Sequence, residues 1–285
     1  MGPYALDMSL HRPEEHDLGL AHDLPTLLNR RRALGLLSSA GLAALAACGG
    51  GDSSPSRSPS GGPPPDEDGP ASSGQVEDGE VPEETGGPFP ADGTNGVNVL
   101  TESGIVRSDI TRSFGGPSGV ADGAPTMIAL TLLNMNDGGV KPYEGAAIYL
   151  WHCDAQGRYS MYDDEVADEN YLRGVQVADA EGKVTFQSIF PAAYAGRWPH
   201  IHFEVYPSQQ AAVASSDKLR TSQIALPEAA SRAAYATGSY PQSRANLAQT
   251  SLKTDNVFSD GYSLQMAKVT GSVDDGMTIM LNIAV

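Results

Sequence analysis

The stretch Arg197–Pro207 reads RWPHIHFEVYP, and its two histidines are separated by one residue. Along a β-strand, successive side chains point to opposite faces. One face of the predicted strand carries His200, His202 and Glu204, and the other carries Ile201, Phe203 and Val205. The apolar face predicts a strand that packs on a hydrophobic core. The polar face requires a separate explanation.

Other short segments show the same β-type character and are bounded by Gly, Asp, Asn or Pro. They cover 127–135, 145–154, 182–190, 221–226 and 277–285. Only residues 227–236, rich in Ala and Glu, favour a helix. Short strands with irregular connections and little helix predict an all-β fold, an antiparallel β-sandwich with long irregular loops.

The N-terminal region has the pattern of an export signal. Residues 29–37 read NRRRALGLL and lead into an apolar run that ends LAACG at Gly49. Paired arginines, an apolar segment and small residues before a cysteine are typical of a twin-arginine signal peptide that ends in a lipobox. We therefore expect residues 1–47 to be the signal peptide and Cys48 to be the lipidated first residue of an extracytoplasmic, membrane-anchored lipoprotein. The alternative is an uncleaved membrane helix, but the apolar run of about fifteen residues is shorter than the roughly 20 that span a bilayer.

Residues 48–84 are rich in Pro, Gly, Ser and acidic residues and have almost no large apolar side chains. Such a composition predicts a disordered linker. The region 49–93 holds ten acidic residues and one basic residue, Arg57, so it carries more than half of the net charge of -17. An acidic chain without a basic face argues against nucleic-acid binding. The folded domain is expected over 85–285.

The paired histidines permit two interpretations, a metal site or a polar strand face. Side chains two residues apart on a strand are separated by roughly 6.6 Å, and two imidazoles at that separation can bind one ion. Glu204, by contrast, lies roughly 13 Å from His200. Glu204 is therefore not expected to be a ligand. Because His11, His16 and His22 fall in the predicted signal peptide, further ligands must come from His152, a carboxylate, Cys153 or tyrosines. Cys153 itself is expected to be a small buried residue rather than a reactive thiol.

Two segments around the histidines resemble a known family. They are GAAIYLWHCDAQGRYSMYD (145–163) and RGVQVADAEGKVTFQSIFPAAYAGRWPHIHFEVYP (173–207), and they are similar to the intradiol ring-cleavage dioxygenases, the protocatechuate and catechol dioxygenases. The similarity extends over most of 85–285, including TGGPFP (85–90) and TSQIALPE (221–228).

This resemblance implies a non-haem Fe(III) held by two tyrosinates and two histidines. The corresponding positions are Tyr159, Tyr194, His200 and His202. It also implies that Arg197 and Gln223 stabilise negative charge that develops on the substrate, and that Tyr194 leaves the iron and acts as a base. Fe(III) is a hard ion that suits anionic oxygen, and two phenolates with neutral imidazoles match that preference.

The implied reaction inserts both atoms of O2 into a catechol-type ring and gives a cis,cis-muconate. A non-catalytic module that binds catechols or metal on the same β-sandwich is the alternative. Tyr162 is a rival to Tyr159 as the first tyrosinate. Ala192, Ala193 and the short link AGRWP before His200 depart from the family pattern, so the substrate is not carried over. The oligomeric state is left open.

Overall fold

The computed structural model describes residues 79–135 and 139–285. The predicted signal peptide, Cys48 and most of the predicted linker lie outside these residues. In the described part the strands are β1 Pro125–Asn134, β2 Lys141–Pro142, β3 Ala147–Trp151, β4 Arg173–Val177, β5 Lys183–Ile189, β6 His200–Tyr206, β7 Arg220–Ala225, β8 Lys268–Ser272 and β9 Gly276–Ala284. The helices are α1 Gln209–Val213, α2 Glu228–Ala234 and α3 Ser243–Ala248. Short 3-10 turns cover Asp164–Val166 and Phe258–Asp260.

The strands form two sheets, which confirms the all-β sandwich. Sheet I contains β2, β1, β9 and β8, with β5 paired to β1, and sheet II has the order β4-β3-β6-β7. All pairs in sheet II are antiparallel. The expectation of a purely antiparallel fold is wrong at one place, because β1 and β9 run parallel, with Ile128 beside Ile279.

The two sheets are buried to different extents. In sheet I, β1 alternates, so that Ile128, Leu130 and Leu132 are buried while several of the intervening side chains are exposed or half-buried. In sheet II, every residue of β3 and β6 is buried. One face of sheet II therefore belongs to the hydrophobic core, and the other is covered by connecting segments rather than by water. That second covered face holds the polar side chains of β6.

The predicted segments agree with the observed strands to within a few residues, and the helix expected at 227–236 is α2. The strands β2, β4 and β8 and the helices α1 and α3 were not predicted from the sequence. The β8 sequence KVTGS is largely exposed at the edge of sheet I. It lacks the hydrophobic alternation by which a half-buried strand is recognised.

Residues 79–84, assigned above to the linker, contact the folded domain. The Val81 backbone N–H donates to the Ala284 carbonyl at 2.9 Å, and the Glu84 N–H donates to the Thr221 carbonyl at 2.7 Å. Val81 is also buried in the core. An apolar side chain and two backbone hydrogen bonds suffice to hold this segment despite its acidic composition. The ordered domain therefore begins before residue 85.

Within the described ranges, no helix has the length and apolar character required to cross a membrane.

Candidate metal centre

The polar face of β6 is buried by the segments that cross it. His200, His202 and Glu204 are each exposed by 3% or less. β6 lies between β3 and β7 in the middle of sheet II, so its backbone is fully paired on both sides. A buried polar row in a central strand is costly unless each group has a partner. The interpretation of this row as an ordinary half-exposed polar face is wrong, because the row is buried.

Three side-chain atoms converge at the N-terminal end of β6. His200 Nε2 lies 3.1 Å from His202 Nε2 and 3.0 Å from the Tyr194 hydroxyl. The Tyr159 ring meets the Tyr194 ring edge-on, with centroids 6.0 Å apart, and meets the His202 ring at 6.1 Å. The structure thus brings together all four residues that the sequence predicted as ligands.

The protonation of His200 follows from its neighbours. Its Nδ1 lies 2.6 Å from the Trp198 carbonyl, which can only accept, so Nδ1 carries the proton and Nε2 presents its lone pair to the cluster. Burial lowers the pKa of His200 and of His202 well below the usual value, and the nearby Arg197 charge lowers both further. Both imidazoles are therefore neutral at neutral pH, the state that binds a metal.

The two candidate tyrosines differ in exposure. Tyr159 is fully buried, and its hydroxyl has no hydrogen-bond partner of acceptable geometry among the described residues. Burial and the adjacent Tyr194 raise the pKa of Tyr159 well above its usual value. Tyr194 is half-buried, and burial raises its pKa to about 12. Neither phenol ionises readily by itself, so a phenolate here requires a cation beside it.

Tyr162, the rival to Tyr159, is engaged elsewhere. Its hydroxyl accepts from the Ala91 backbone N–H at 2.8 Å and donates to Asn95 Oδ1 at 3.0 Å. The orphaned hydroxyl of Tyr159 and the satisfied hydroxyl of Tyr162 favour Tyr159 as the ligand. A buried polar atom without a partner is uncommon and points to a group that it would bind.

A segment that we call the strap, residues 85–90, covers this end of sheet II. A side-chain carbon at Gly87 would lie 3.3 Å from His202 Cε1, and the backbone there has φ of +71°. Gln223 Nε2 donates to the Thr85 carbonyl at 2.8 Å, and the Phe89 ring lies 4.9 Å from the Tyr159 ring. Glycine is required at position 87 both for the positive φ and for the close approach.

Gly157 has a similar role on the opposite side of the cluster. Its φ is +87°, and a side-chain carbon there would lie 3.1 Å from Tyr194 Cβ. The Gly-x-Tyr spacing therefore allows the loop that carries Tyr159 to approach Tyr194 closely.

Arg197 lies beside the histidines in a network of buried groups. Its Nη2 donates to Gln223 Oε1 at 2.6 Å, and its Nε donates to Asp255 Oδ2 at 2.9 Å. Its Nη1 lies 3.5 Å from His200 Nε2. Arg197 is therefore a buried group held by side-chain partners rather than a surface arginine. Asp255 was missed because an Asp in a polar loop 53 positions after His202 carries no motif of its own.

Two further groups behind the cluster were also missed. Trp151 on β3 stacks on His202, with ring centroids 5.0 Å apart and an angle of 6° between planes. Arg173 on β4 is buried and donates to the Phe89 and Pro90 carbonyls of the strap and to the Ser160 carbonyl next to Tyr159. The alternation of Tyr149 and Trp151 along β3 was the sequence signal that could have identified Trp151. No sequence signal distinguishes Arg173 from a surface arginine.

The remaining candidates lie outside the cluster. Glu204 accepts from Lys218 Nζ and from the Tyr206 hydroxyl, each at 2.7 Å, as expected for a residue that is not a ligand. His152 Nε2 lies 2.7 Å from Ser188 Oγ, and burial lowers the pKa of His152 to about 4. Cys153 is a free, buried thiol, as expected, and burial raises its pKa.

The cluster fits a metal ion held by nitrogen and phenol oxygen. Bonds of about 2.1 Å that meet at a right angle place neighbouring ligand atoms about 3.0 Å apart. The observed 3.0 Å and 3.1 Å separations around His200 Nε2 agree with two such edges. Over residues 79–135 and 139–285, no group of three or more His, Cys, Asp or Glu side chains is arranged to hold a metal. The candidate donors in this cluster are two imidazoles and two phenols, and phenolate oxygen is a ligand that suits a hard ion.

Comparison with known proteins finds partial matches. Residues 117–228 match a family model described as Dioxygenase. Over 54 residues the chain is 39% identical to catechol 1,2-dioxygenase of Pseudomonas sp. (strain EST1001), a match that covers 19% of this chain and 18% of that enzyme. Over 53 residues it is 42% identical to chlorocatechol 1,2-dioxygenase of Pseudomonas sp. (strain P51), covering 19% of this chain and 21% of that enzyme. These matches span about a fifth of the length of the curated relatives.

The fold comparison covers more of the chain. An intradiol ring-cleavage dioxygenase from Tetranychus urticae superposes with a TM-score of 0.53 at 27% identity, over 64% of this chain and 87% of that one. The matched range 117–228 contains all four candidate ligands together with Arg197 and Gln223, whereas the strap and Asp255 lie outside it. The comparisons agree on one similarity: residues 117–228 match a dioxygenase family model, and the fold is similar to that of an intradiol ring-cleavage dioxygenase.

Proposed function

We propose that the protein is a non-haem Fe(III) intradiol dioxygenase that inserts both atoms of O2 into a catechol-type ring and gives a cis,cis-muconate. The observation that carries the proposal is the convergence of two imidazole nitrogens and two phenol groups in one buried cluster, with the nitrogen–nitrogen separation at 3.1 Å. Catechol and chlorocatechol enzymes among the relatives support this class of substrate.

Tyr159, Tyr194, His200 and His202 would hold the iron. Ferric iron would supply a positive centre that binds both oxygens of a catechol and favours their ionised form. The chain contributes neutral imidazoles and a buried phenol, which the strap covers. Burial strengthens each electrostatic contact made there.

Tyr194 and Arg197 have the positions needed to act on the substrate. Tyr194 is the less buried of the two candidate tyrosines, and we propose that its phenolate, which would form when the metal is bound, accepts a catechol proton and becomes the neutral phenol. Arg197 Nη1 faces the same point from beside His200. A fixed guanidinium that faces developing negative charge lowers the barrier without reorganising during the reaction.

Metal content, colour and oxygen uptake test this function. Purified protein should contain one Fe per chain and be red-brown, because phenolate-to-Fe(III) charge transfer absorbs visible light. The colour should change when catechol is added under nitrogen, and admission of air should give oxygen uptake with one muconate formed per O2 consumed. Colourless protein that contains zinc would contradict the ferric assignment.

The same measurements test the role of Tyr194 and the alternative function. Tyr194→Phe should weaken the visible band and lower oxygen uptake, while Tyr143→Phe, outside the cluster, should change neither. A coloured protein that binds catechol without oxygen uptake would instead support the non-catalytic binding module.

The location of the protein is a separate proposal. We infer from residues 29–49 that the chain is exported by the twin-arginine route and anchored through lipid at Cys48. The paired arginines and the small residues before the cysteine support it.

A further inference from the structure

We propose that Asp255 is a positioning residue for catalysis: it fixes the Arg197 guanidinium so that Nη1 points at the candidate metal centre and meets negative charge on the substrate. This inference depends on the proposed dioxygenase function. It concerns a residue outside the range that matches the family model.

The carboxylate of Asp255 is fully buried and accepts only from groups around Arg197 and from its own loop. Oδ2 accepts from Arg197 Nε at 2.9 Å and from the Trp198 backbone N–H at 2.7 Å. Oδ1 accepts from Arg197 Nη2 at 3.4 Å and from the backbone N–H groups of Val257 and Phe258 at 2.9 Å and 3.2 Å. The backbone donors fix the carboxylate, and the carboxylate in turn fixes the plane of the guanidinium.

Counting the guanidinium hydrogens shows what remains available. Arginine has five N–H donors: one on Nε and two on each Nη. Asp255 engages the Nε hydrogen and one on Nη2, and Gln223 Oε1 engages the second on Nη2 at 2.6 Å. The two hydrogens on Nη1 are directed elsewhere, and the contact of Nη1 is with His200 Nε2 at 3.5 Å, at the edge of the candidate metal centre.

The charge of Asp255 also explains how Arg197 is kept there. A guanidinium exposed by only 9% is costly to bury without an opposite charge, and Asp255 at 0% exposure is its ion-pair partner. Gln223 is held in turn by the Thr85 carbonyl of the strap. Arg197 is therefore fixed from two sides, and its direction depends on Asp255 rather than on its own flexible side chain.

The test is a double-mutant cycle in full-length, iron-loaded protein. Asp255→Asn keeps the shape but removes the charge, and we expect kcat for catechol to fall on the order of 10- to 100-fold. The dissociation constant of 4-nitrocatechol, followed by its optical change under nitrogen, should stay within about threefold, because the iron rather than Arg197 binds the catechol oxygens. In an Arg197→Met background, Asp255→Asn should change kcat less than about threefold. Asp274→Asn, on the distant turn between β8 and β9, is the matched control and should change nothing.

A purely structural carboxylate gives a different pattern. Asp255→Asn would then lower kcat by the same factor with Arg197 or Met at position 197, and this result overturns the proposal. An unchanged kcat, or a loss of 4-nitrocatechol affinity equal to the loss of kcat, overturns it as well.

Asp255→Glu provides a second route if Asp255→Asn does not fold. It keeps the charge and displaces the carboxylate by one methylene, so kcat should again fall while the iron content stays at the wild-type value. If neither variant keeps the wild-type iron content and melting temperature, Asp255 serves the fold and the proposal is wrong. If wild-type protein takes up no oxygen with catechol, the dioxygenase function itself fails and this inference fails with it.

Discussion

Tyr159 and Tyr162 lie three residues apart in one loop, and their surroundings give them different roles. Among the described residues, the buried Tyr159 hydroxyl has no hydrogen-bond partner of acceptable geometry, whereas the Tyr162 hydroxyl bonds to Ala91 and Asn95. These hydrogen bonds favour Tyr159 as the candidate ligand and Tyr162 as a structural residue. The motif Gly-x-Tyr alone had favoured Tyr159 without excluding Tyr162.

This contrast gives a matched pair of variants. Tyr159→Phe removes a proposed ligand oxygen, and we expect iron affinity to fall by more than about tenfold and the visible band to weaken. Tyr162→Phe removes two hydrogen bonds away from the cluster, so its iron content and spectrum should match the wild type. Iron analysis and absorption spectra check both. Equal losses in the two variants would contradict the assignment of Tyr159.

Gly87 tests the close contact between the strap and His202. Gly87→Ala should be destabilising, because alanine is strained at positive φ by about 1 kcal/mol and its methyl would press on the His202 ring. Gly96 also has positive φ, but a methyl there meets nothing within 4 Å, so Gly96→Ala isolates the backbone strain. Urea unfolding should show a larger loss for Gly87→Ala. Iron affinity should fall only in Gly87→Ala, and an equal effect of both variants would show that the contact with His202 is unimportant.

At the scale of elements, β6 is held to its neighbours by a buried charge cluster as well as by its ladder. Lys218, just before β7, lies 2.7 Å from Glu204 on β6 and 3.7 Å from Asp92, which follows the strap. The polar face of β6 thus has two parts: the histidine end faces the candidate metal centre, and the Glu204 end is linked to Lys218 and Tyr206. Burial raises the pKa of Glu204, and Lys218 opposes that shift.

Removing Lys218 should show how much a buried carboxylate without an ion-pair partner destabilises the fold. Lys218→Met leaves Glu204 with Tyr206 as its remaining partner and should reduce the free energy of unfolding at pH 7 by about 3 kcal/mol. Arg232→Met breaks the exposed pair with Glu228 on α2 and should cost less than about 0.5 kcal/mol. Denaturant titration compares them. The double variant Lys218→Met with Glu204→Gln should recover part of the loss, and no recovery would contradict the charge explanation.

For the whole molecule, the candidate centre depends on segments from distant parts of the chain. The strap, the Tyr159 loop, β6, β7 and the Asp255 loop all meet at one end of sheet II. The match to the dioxygenase family model covers residues 117–228, so the strap and the Asp255 loop lie outside it. The two ends of the described domain are also joined directly, through the Val81 N–H and the Ala284 carbonyl.

The predicted lipid anchor is tested on the intact chain. Cys48→Ser should abolish incorporation of labelled palmitate and release the protein from the membrane fraction, because the thiol is the acylated group. Replacing Arg30 and Arg31 with lysine should block export and leave precursor in the cytoplasm. The measurement is fractionation of cells producing each variant. Continued palmitate labelling of Cys48→Ser would contradict the lipoprotein interpretation.

The strand pattern and the ligand types could be predicted from the sequence because both are local. Alternation along HIHFEVYP assigned His200 and His202 to one face of a strand, and the separation of Glu204 excluded it as a ligand. The short strand β4 and the exposed strand β8 were not predicted, since neither has a run of alternating apolar residues. Asp255 was not predicted as a site residue because its role depends on a contact with Arg197, which lies 58 positions away in the chain.

The sequence by itself determined the period-2 strands and the His-x-His pair, because these follow from side-chain alternation along a short stretch, whereas the two tyrosines came from the family resemblance. Only the tertiary structure decided that the polar face of β6 is buried, that the Tyr159 ring meets the His202 ring while the Tyr162 hydroxyl bonds to Ala91 and Asn95, and that Asp255 pairs with Arg197. The physical reason is that burial and hydrogen-bond satisfaction depend on which distant segments cover a side chain, and a strand's own residues do not encode what lies above them.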